Sequence, residues 1–312
     1  MHLDVSVIGL LNVDLIIHGT APKNIDALLR WTGETEINCL MAGAVGYFIQ
    51  NISKLGLKTG VITNIGDDEF SLIIKQTLSN SNIDISRLRI QEHTKSAIAA
   101  FILLFGGKKR PMPFRMMTHD PLPASFSEED LRYIYKSRLL HHGGYLHFPQ
   151  RKLTEGVFKK VKEHGVKISM DPQFPLKRIE KPWLNEFGNI LKYVDILLID
   201  ENEALGLTNT SSINDAIEIL LDTGPEIFAI KLGAKGCVVY NQKQKIRKPA
   251  IQVKNIVDSI GAGDSFDAGF IYGYLEGLSL DKITDLALKT ASLSLKGIGG
   301  SSSITSRSQI KL

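Results

Sequence analysis

The stretch Asp258-Ser259-Ile260-Gly261-Ala262-Gly263-Asp264-Ser265-Phe266 decides the fold of this chain. Apolar residues recur at helical spacing from Phe266 to Leu278, so the stretch predicts a Gly-rich turn that opens a helix. The first N–H groups of a helix have no partner within it and lie at the positive end of its dipole. Glycine lets a ligand approach such a backbone closely. The turn therefore predicts a site for phosphate or another anion.

Asp264 has two interpretations that the residues alone leave open. A carboxylate beside an anion site repels the anion, unless the anion is a transferring phosphoryl group and Asp264 accepts the proton of the attacking hydroxyl. Alternatively, Asp264 caps the helix and the glycines only form a tight turn.

Composition bounds the class of protein. The 312 residues are 43% hydrophobic and 22% charged, as in soluble globular proteins of one large or two ordinary domains. The net charge is +4, and no run of basic residues exceeds Lys108–Arg110, so nucleic-acid binding is not expected. Cys39 and Cys237 give no disulfide framework and are expected to be buried thiols in a reducing compartment. Without a signal peptide or a long apolar stretch, a cytoplasmic protein with no membrane span is expected.

Short apolar runs alternate with amphipathic segments along most of the chain. This alternation predicts an α/β fold with a doubly wound, mainly parallel sheet flanked by helices. Ligands of such sheets bind beyond the carboxyl ends of the strands, where Asp171, Asp200, Lys231 and Asp258 are expected. The predicted strands are 5–9, 61–63, 139–141, 166–170, 196–199, 227–231 and 237–240, and the predicted helices are 44–55, 70–78, 128–136, 154–164, 185–193 and 213–222.

Three extended segments lack an obvious helix partner, namely 15–18, 34–38 and 94–106. Together they predict a small separate β-sheet, or alternatively an edge extension of the main sheet. Several other site types are absent from the sequence: a P-loop, a protein-kinase catalytic loop, a dinucleotide-binding fingerprint and a His-Glu-x-x-His zinc motif. The clustered His141, His142 and His147 are interpreted as strand and loop residues rather than zinc ligands.

The stretch from Asp258, with the Asp-Ala-Gly that follows Phe266, resembles the C-terminal signature of the PfkB carbohydrate kinases, the ribokinase-like family. The resemblance extends over nearly the whole chain. It implies an anion hole made by the backbone of Gly261, Ala262 and Gly263, with Asp264 as the catalytic base. It further implies one ribokinase-like catalytic domain over 1–312. Strands from about 15–40 and 94–117 would form its lid, which closes over the sugar and excludes water.

The resemblance also assigns the acceptor side. Asn12-Val13-Asp14 follows the first strand, where the family uses an Asp to bind sugar hydroxyls; the alternative is an Asx turn. Ala42-Gly43-Ala44-Val45-Gly46-Tyr47 occupies the place of the family's Gly-Gly-x-x-x-Asn, with Gly43 retained and Tyr47 replacing the Asn. Ordinary ribokinase or fructokinase specificity is therefore in doubt. Tyr47 would stack on a ring, donate one hydrogen bond, or pack in the core.

Two further motifs concern the metal and the phosphates. Asp200-Glu201-Asn202-Glu203 resembles the family's Asn-x-x-Glu, which implies that Glu203 and Asp200 hold Mg²⁺ through water, or else only cap a helix. Asp171-Pro172-Gln173 resembles the family's Asp-x-Asn.

The ATP phosphates are assigned to the segment from Lys231 to Gly236, where Lys231 or Lys235 supplies a cation. The predicted nucleotide-binding residues are Lys231, Gly233, Gly236 and Asp258. A monovalent cation occurs near the anion hole in part of the family, but no side-chain pattern here decides its presence.

The sequence thus predicts an ATP-dependent kinase that phosphorylates a hydroxyl of a sugar or sugar-like molecule. A nucleoside kinase of the same family and a catalytically silent sugar-binding protein on this fold are the alternatives. Lys108–Arg110 and Arg115 either bind a phosphate already on the substrate or belong to a solvated loop. Pairing of lid sheets, as in some family members, would give a homodimer.

Overall fold

The computed structural model describes residues 2–19, 24, 26–27, 30, 35–103, 112–116, 120–147, 150–175 and 179–310. The strands are β1 Leu3–Ile8, β2 Asn12–Gly19, β3 Thr35–Ala42, β4 Thr59–Gly66, β5 Asp84–Gln91, β6 Ala97–Leu103, β7 Met112–Met116, β8 Ser137–Gly143, β9 Lys167–Asp171, β10 Ile196–Asp200, β11 Ile227–Lys231, β12 Cys237–Asn241 and β13 Lys245–Lys248. The helices are α1 Gly46–Lys54, α2 Glu69–Asn80, α3 Glu128–Tyr135, α4 Arg151–Glu163, α5 Glu201–Thr208, α6 Ile213–Leu221, α7 Ala262–Leu275 and α8 Leu280–Ser294.

The large sheet has nine strands in the order β13-β12-β11-β10-β9-β8-β1-β4-β5. Its neighbouring strands are parallel except at the β11–β12 and β12–β13 pairs, which are antiparallel. Alternate residues of one strand reach opposite faces, as β10 shows, because Leu197 and Ile199 join one apolar core while Ile196 and Leu198 join the other. Helices α3–α6 cover the first face and α1, α2, α7 and α8 cover the second. This arrangement confirms the doubly wound, mainly parallel α/β fold.

The small sheet is separate and has four strands in the order β3-β2-β6-β7. The outer pairs are antiparallel, and β2 and β6 are parallel. The prediction of a small separate sheet is therefore confirmed, and the alternative of an edge extension is wrong. Only residues 9–11 separate β1 of the large sheet from β2 of the small one, so the two sheets are joined at the start of the chain.

Three local predictions are wrong. Residues 185–193 form no α-helix; two short 3₁₀ turns, Trp183–Glu186 and Ile190–Tyr193, flank Gly188, whose positive φ of 53° ends helical winding. Asp258 follows no strand, because the chain from 249 to 259 is irregular. Cys39 is exposed, since it points outward from the edge strand β3, whereas Cys237 is buried as expected. Among the described residues, no helix has the length and apolar character needed to cross a membrane.

Candidate active site

Functional side chains meet where three neighbouring strands end. Asp171 is the last residue of β9, Asp200 of β10 and Lys231 of β11, and Asp200 and Lys231 are paired in register. The N-terminus of α7 lies against the same edge, and a cavity of about 840 Å³ opens between them and the small sheet. The lining residues include Asn12, Asp14, Gly43, Tyr47, Arg115, His147, Asp171, Gln173, Asp200, Glu203, Lys231, Gly233, Gly261, Ala262, Gly263 and Asp264.

The Gly-rich turn opens α7 as predicted. Gly261 is the N-cap residue with φ of +72°, in the left-handed region, and no side chain makes a capping hydrogen bond there. The interpretation of Asp264 as a helix cap is therefore wrong. A Cβ atom on Gly261 would lie 2.6 Å from Cδ2 of Tyr47, so both the backbone angle and the packing require glycine. The N–H of Ala262 donates to the carbonyl of Ser259 at 3.4 Å. The next N–H groups at the start of a helix have no partner within it, so the turn can present them to an anion in the cavity.

Asp264 is held in an environment that suits a base. Burial raises the pKa of its carboxyl to about 7, and the negative charge of Asp171 adds to that rise. Nε2 of Gln173 lies 3.4 Å from Oδ1 of Asp264 and donates to the carbonyl of Ala44 at 2.9 Å. Gln173 itself has φ of +55°, which is rare for a residue with a side chain and is typical of functional sites. A carboxyl with a pKa near 7 is well matched to proton transfer.

Lys231 lies at the centre of a buried charge cluster. Its Nζ is 3.0 Å from Oδ2 of Asp171 and 3.1 Å from each carboxylate oxygen of Asp267. Burial alone would lower the pKa of Lys231, but these carboxylates raise it well above its ordinary value. Nζ would also lie only 3.7 Å from a Cβ on Gly263, so the ammonium group stands beside the anion-binding turn. Lys235 differs, since its side chain is 67% exposed and pairs with Glu201.

Asp200 and Glu203 form a capping box at the start of α5. Oδ1 of Asp200 accepts from the Glu203 N–H at 2.7 Å, and Oε2 of Glu203 accepts from the Asp200 N–H at 2.6 Å. The capping bonds thus occupy one oxygen of each carboxylate. Burial, with the charges of Asp171 and Asp200, raises the pKa of Glu203 well above its ordinary value. Both residues line the cavity, so the capping role does not remove them from it.

The acceptor side of the cavity is built around Asp14, on β2. Nδ2 of Asn12 donates to Oδ1 of Asp14 at 2.8 Å, and the hydroxyl of Tyr47 donates to Oδ2 at 3.0 Å. Burial raises the pKa of Asp14 to about 6, although both bonds oppose the rise. Gly43, with φ of +106°, passes so close to the Leu10 carbonyl that a Cβ would lie 2.5 Å from it. Asn12 and Asp14 are both residues of strand β2 and are paired with β3 and β6. The alternative of an Asx turn is therefore wrong.

Two predicted nucleotide-binding residues lie outside the cavity lining. Asp258 is buried, and its carboxylate accepts from the N–H groups of Ile260 at 2.9 Å and Gly299 at 2.8 Å, which ties the Gly-rich turn to the C-terminal segment. Gly236 has φ of +95° and packs against the backbone of Lys248 and Pro249 in the β11–β12 hairpin. Lys108–Arg110 fall outside the described residues, whereas Arg115 is described and lines the cavity.

Sequence reasoning missed Asp267, which is buried and completes the cluster around Lys231. The missed signal was its spacing, because Asp267 lies three residues after Asp264 and so one turn further along the same side of α7. Gln173 stands where the family's Asp-x-Asn has its Asn, and the sequence alone assigns it no role of its own. Its contact with Asp264 depends on the left-handed backbone that follows β9, which no pattern in the residues reveals.

The chain is similar to known kinases in sequence and in fold. The chain is 29% identical over 247 residues to "Probable fructokinase-7" of Arabidopsis thaliana, covering 77% of this chain and 71% of that protein. It is 28% identical over 292 residues to "Cytidine kinase" of Thermococcus kodakarensis, covering 92% and 98%. The structure of Arabidopsis thaliana ribokinase with ribose and ATP superposes with a TM-score of 0.80 at 23% identity, covering 99% of this chain and 98% of that one.

These likenesses define a class of small-molecule kinases with the ribokinase-like fold. A model described as "pfkB family carbohydrate kinase" matches residues 4–307, so the chain belongs to the pfkB family of carbohydrate kinases. It is therefore an ATP-dependent phosphotransferase that uses an alcohol group as acceptor. The predicted family, fold and enzyme class are confirmed.

Proposed function

We propose that this kinase phosphorylates a hydroxyl of a sugar or sugar-like acceptor with Asp264 as general base. Asp264 takes the proton of the acceptor hydroxyl while the hydroxyl oxygen attacks the γ-phosphorus, and the bond from that phosphorus to the β,γ-bridging oxygen breaks to release ADP. Backbone N–H groups of the turn Gly261-Ala262-Gly263 stabilise the charge on the transferring group. The observation that carries the proposal is the position of the half-buried Asp264, with its raised pKa, in the first turn of α7 beside this anion-binding backbone.

The residues of the cavity fit a magnesium ion held through water. Asp171, Asp200, Glu203 and Asp264 line it together with a single strand-end ammonium group, Lys231. Burial disfavours this excess of negative charge, and a divalent cation would relieve it. Within the described ranges, no three His, Cys, Asp or Glu side chains are grouped as a direct metal site, and Mg²⁺ retains several waters in any case. When bound, Mg²⁺ would neutralise the β- and γ-phosphates, and Glu203 and Asp200 would orient its waters.

On the acceptor side, Asp14 is the proposed partner of the substrate's hydroxyl groups. Tyr47 was the reason to consider a nucleoside kinase, because its ring would suit a base. In the structure the Tyr47 ring is only 2% exposed and packs against Gly261 and Gly300, so it presents no open face for stacking. Its hydroxyl instead fixes Asp14. This supports a sugar-like acceptor over a nucleoside.

The test is ADP release with magnesium-ATP against hexoses, pentoses, inositols, sugar acids, sugar phosphates and nucleosides. We expect one class to raise the rate far above background hydrolysis. Asp264→Asn should lower kcat by about 10²–10⁴-fold while the Kd for ATP changes little, since the base acts only on the acceptor. Asp222→Asn, exposed at the end of α6, is the matched control. If Asp264→Asn kept about a tenth or more of the parent rate, the base assignment would be wrong.

The proposed partner in solution is a second copy, bound through the outer face of the small sheet. That face turns away from Asp14 and is apolar on all four strands. A mostly uncharged, self-complementary surface suits an isologous dimer. Sedimentation should give a dimer that Ile37→Glu converts to monomers; a monomeric parent protein would overturn this. The outward residues that do not line the cavity or pack on the core are Ile17, Ile37, Cys39, Ala100, Ile102 and Phe114.

A monovalent cation near the turn and a cytoplasmic location stay predictions. The carboxylate of Asp258 already accepts two backbone N–H groups at that turn. Activity measured in potassium and in tetramethylammonium salts would decide the cation requirement.

A further inference from the structure

One row of residues crosses the small sheet on the side that faces the cavity. Asp14 on β2 is paired with Ala99 on β6, and Ala99 is paired with Arg115 on β7. Residues paired in one row project from the same face of a sheet. All three line the cavity. Because neighbouring strands lie about 4.8 Å apart, the backbones of Asp14 and Arg115 are roughly 10 Å apart, with the small side chain of Ala99 between them.

Arg115 carries its charge into this part of the cavity. The guanidinium carbon lies 6.0 Å from the centre of the Phe101 ring, within cation–π distance. Burial raises the pKa of Asp14 to about 6 and lowers that of His147 to about 4; the positive charge of Arg115 opposes the first shift and adds to the second. The charge is therefore felt by two lining residues on different elements, β2 and the turn after β8.

The two basic side chains of the described lining, Lys231 and Arg115, have different surroundings. Nζ of Lys231 lies 3.0 Å from Asp171, at the end of β9, and 3.1 Å from Asp267, on α7, beside the anion-binding turn. Arg115 belongs to the wall that holds Asp14, which is the wall of the acceptor. A guanidinium group presents five N–H donors in a planar fork that matches a carboxylate or a phosphate.

We infer that the acceptor carries an anionic group, a carboxylate or a phosphate, which Arg115 binds while Asp14 binds a hydroxyl of the same molecule. This inference rests on the proposed function and narrows its substrate class. The anionic group lies on the small-sheet side, and the attacking hydroxyl lies at Asp264 on the other side. Asp14 and Arg115 thus bind two different groups of one acceptor, a hydroxyl and an anionic group. Ala99 leaves the space between them open.

A competing role for Arg115 is only to keep Asp14 ionised, since it opposes the raised pKa of that carboxyl. The two roles differ in what a substitution does. Loss of a substrate contact lowers kcat/KM for anionic acceptors selectively. Loss of support for Asp14 lowers it for every acceptor alike and moves the acidic limb of the pH profile to higher pH.

The experiment compares kcat/KM for matched acceptors that differ only in the anionic group: hexose and hexose phosphate, aldose and aldonate. We expect one anionic member to exceed its neutral partner, and Arg115→Gln to lower kcat/KM about 10–10²-fold more for the anionic member than for the neutral one. Arg115→Lys should recover part of the loss. The preferred pair tells phosphate from carboxylate. Arg132→Gln, exposed on α3, should behave like the parent protein.

Two results would overturn the inference while leaving the kinase assignment intact: neutral acceptors used as well as their anionic partners, or equal losses for both members of a pair in Arg115→Gln. If no acceptor of the whole panel were phosphorylated although ATP binds, the proposed function itself would fail, and this inference with it.

Discussion

The hydroxyl of Tyr47 donates a hydrogen bond to Oδ2 of Asp14 at 3.0 Å, on the carboxylate whose other oxygen accepts from Asn12. The bond favours the ionised form and so opposes the burial that raises the pKa of Asp14 to about 6. Tyr47→Phe removes the bond and keeps the ring against Gly261. The pKa of Asp14 should then rise further, and the acidic limb of the kcat/KM profile for the acceptor should move to higher pH by up to about one unit.

The control for this substitution is Tyr145→Phe, because Tyr145 is buried away from the cavity and its hydroxyl donates at 3.4 Å to the carbonyl of Glu186. It should leave the pH profile in place. An unmoved profile in Tyr47→Phe would show that the hydroxyl does not act on Asp14.

Asp264 should make the ligand-free protein less stable at high pH. Its pKa is about 7 when folded, against 3.8 ordinarily, so the folded state binds this proton more tightly. The resulting stabilisation is complete below about pH 4 and is lost as pH rises through 7. Asp264→Asn should therefore raise the free energy of unfolding at pH 8 by more than about 1 kcal/mol and change it little at pH 4.

Urea unfolding at the two pH values measures this difference. A variant that is equally stable or less stable than the parent protein at pH 8 would contradict the raised pKa. The same raised pKa predicts that kcat/KM of the parent protein increases with pH up to about 7 and then levels off.

Lys231 and Lys235 lie close together between β11 and β12, but removing the charge of each should have different effects on stability and activity. Lys231→Met leaves Asp171 and Asp267 buried without their cation, which should lower the free energy of unfolding by about 3–5 kcal/mol. It should also lower kcat by about 10²-fold, because the ammonium group stands beside the anion-binding turn. Lys235→Met should change the free energy of unfolding by less than about 1 kcal/mol, since the pair with Glu201 is mostly exposed.

If Lys231→Met does not fold, Lys231→Arg is the alternative variant, because it keeps the charge but changes its position. Its kcat, measured per folded molecule, then tests whether Lys231 contributes to catalysis. Full activity in Lys231→Arg together with full ATP affinity would limit Lys231 to a structural role.

Gly261 and Gly277 have the same φ of +72°, but only Gly261 has neighbours where a Cβ would be. Gly277→Ala should cost about 1–2 kcal/mol through backbone strain alone. Gly261→Ala should cost a further 1–3 kcal/mol or so, because its Cβ would overlap the Tyr47 ring, and it should also lower kcat by displacing the anion-binding turn. Urea unfolding and ADP release on both variants separate strain from steric overlap. Equal losses of stability would mean that the ring moves aside freely.

Much of this architecture could be predicted because it rests on local signals. The turn from Gly261 to Asp264 carries its own glycines and apolar helix, and the buried strands are short apolar runs. Strand β5 was missed because five of its eight residues are polar or charged, as suits an edge strand. They are Asp84, Ser86, Arg87, Arg89 and Gln91. Helix α5 was missed because its pattern is short and weakly amphipathic.

The site was predicted less completely, because its contacts join distant parts of the chain. Asp171 and Asp267 become partners of Lys231 only when β9, β11 and α7 are packed together. For Arg115 the sequence left a solvated loop open as an alternative, since nothing near it in sequence reveals that β7 pairs with β6 and that its side chain lines the cavity.

Asp14 and Arg115 stand on the small sheet, whereas Asp264 belongs to a helix packed on the large sheet, and residues 9–11 form a direct covalent joint between the two sheets. An acceptor that contacts both the small sheet and Asp264 therefore spans the gap between the two sheets. The length of the acceptor, and not only its functional groups, then determines how its hydroxyl is oriented toward the carboxylate of Asp264. A molecule with the right groups but one carbon too few would bind to either wall and be a competitive inhibitor rather than a substrate.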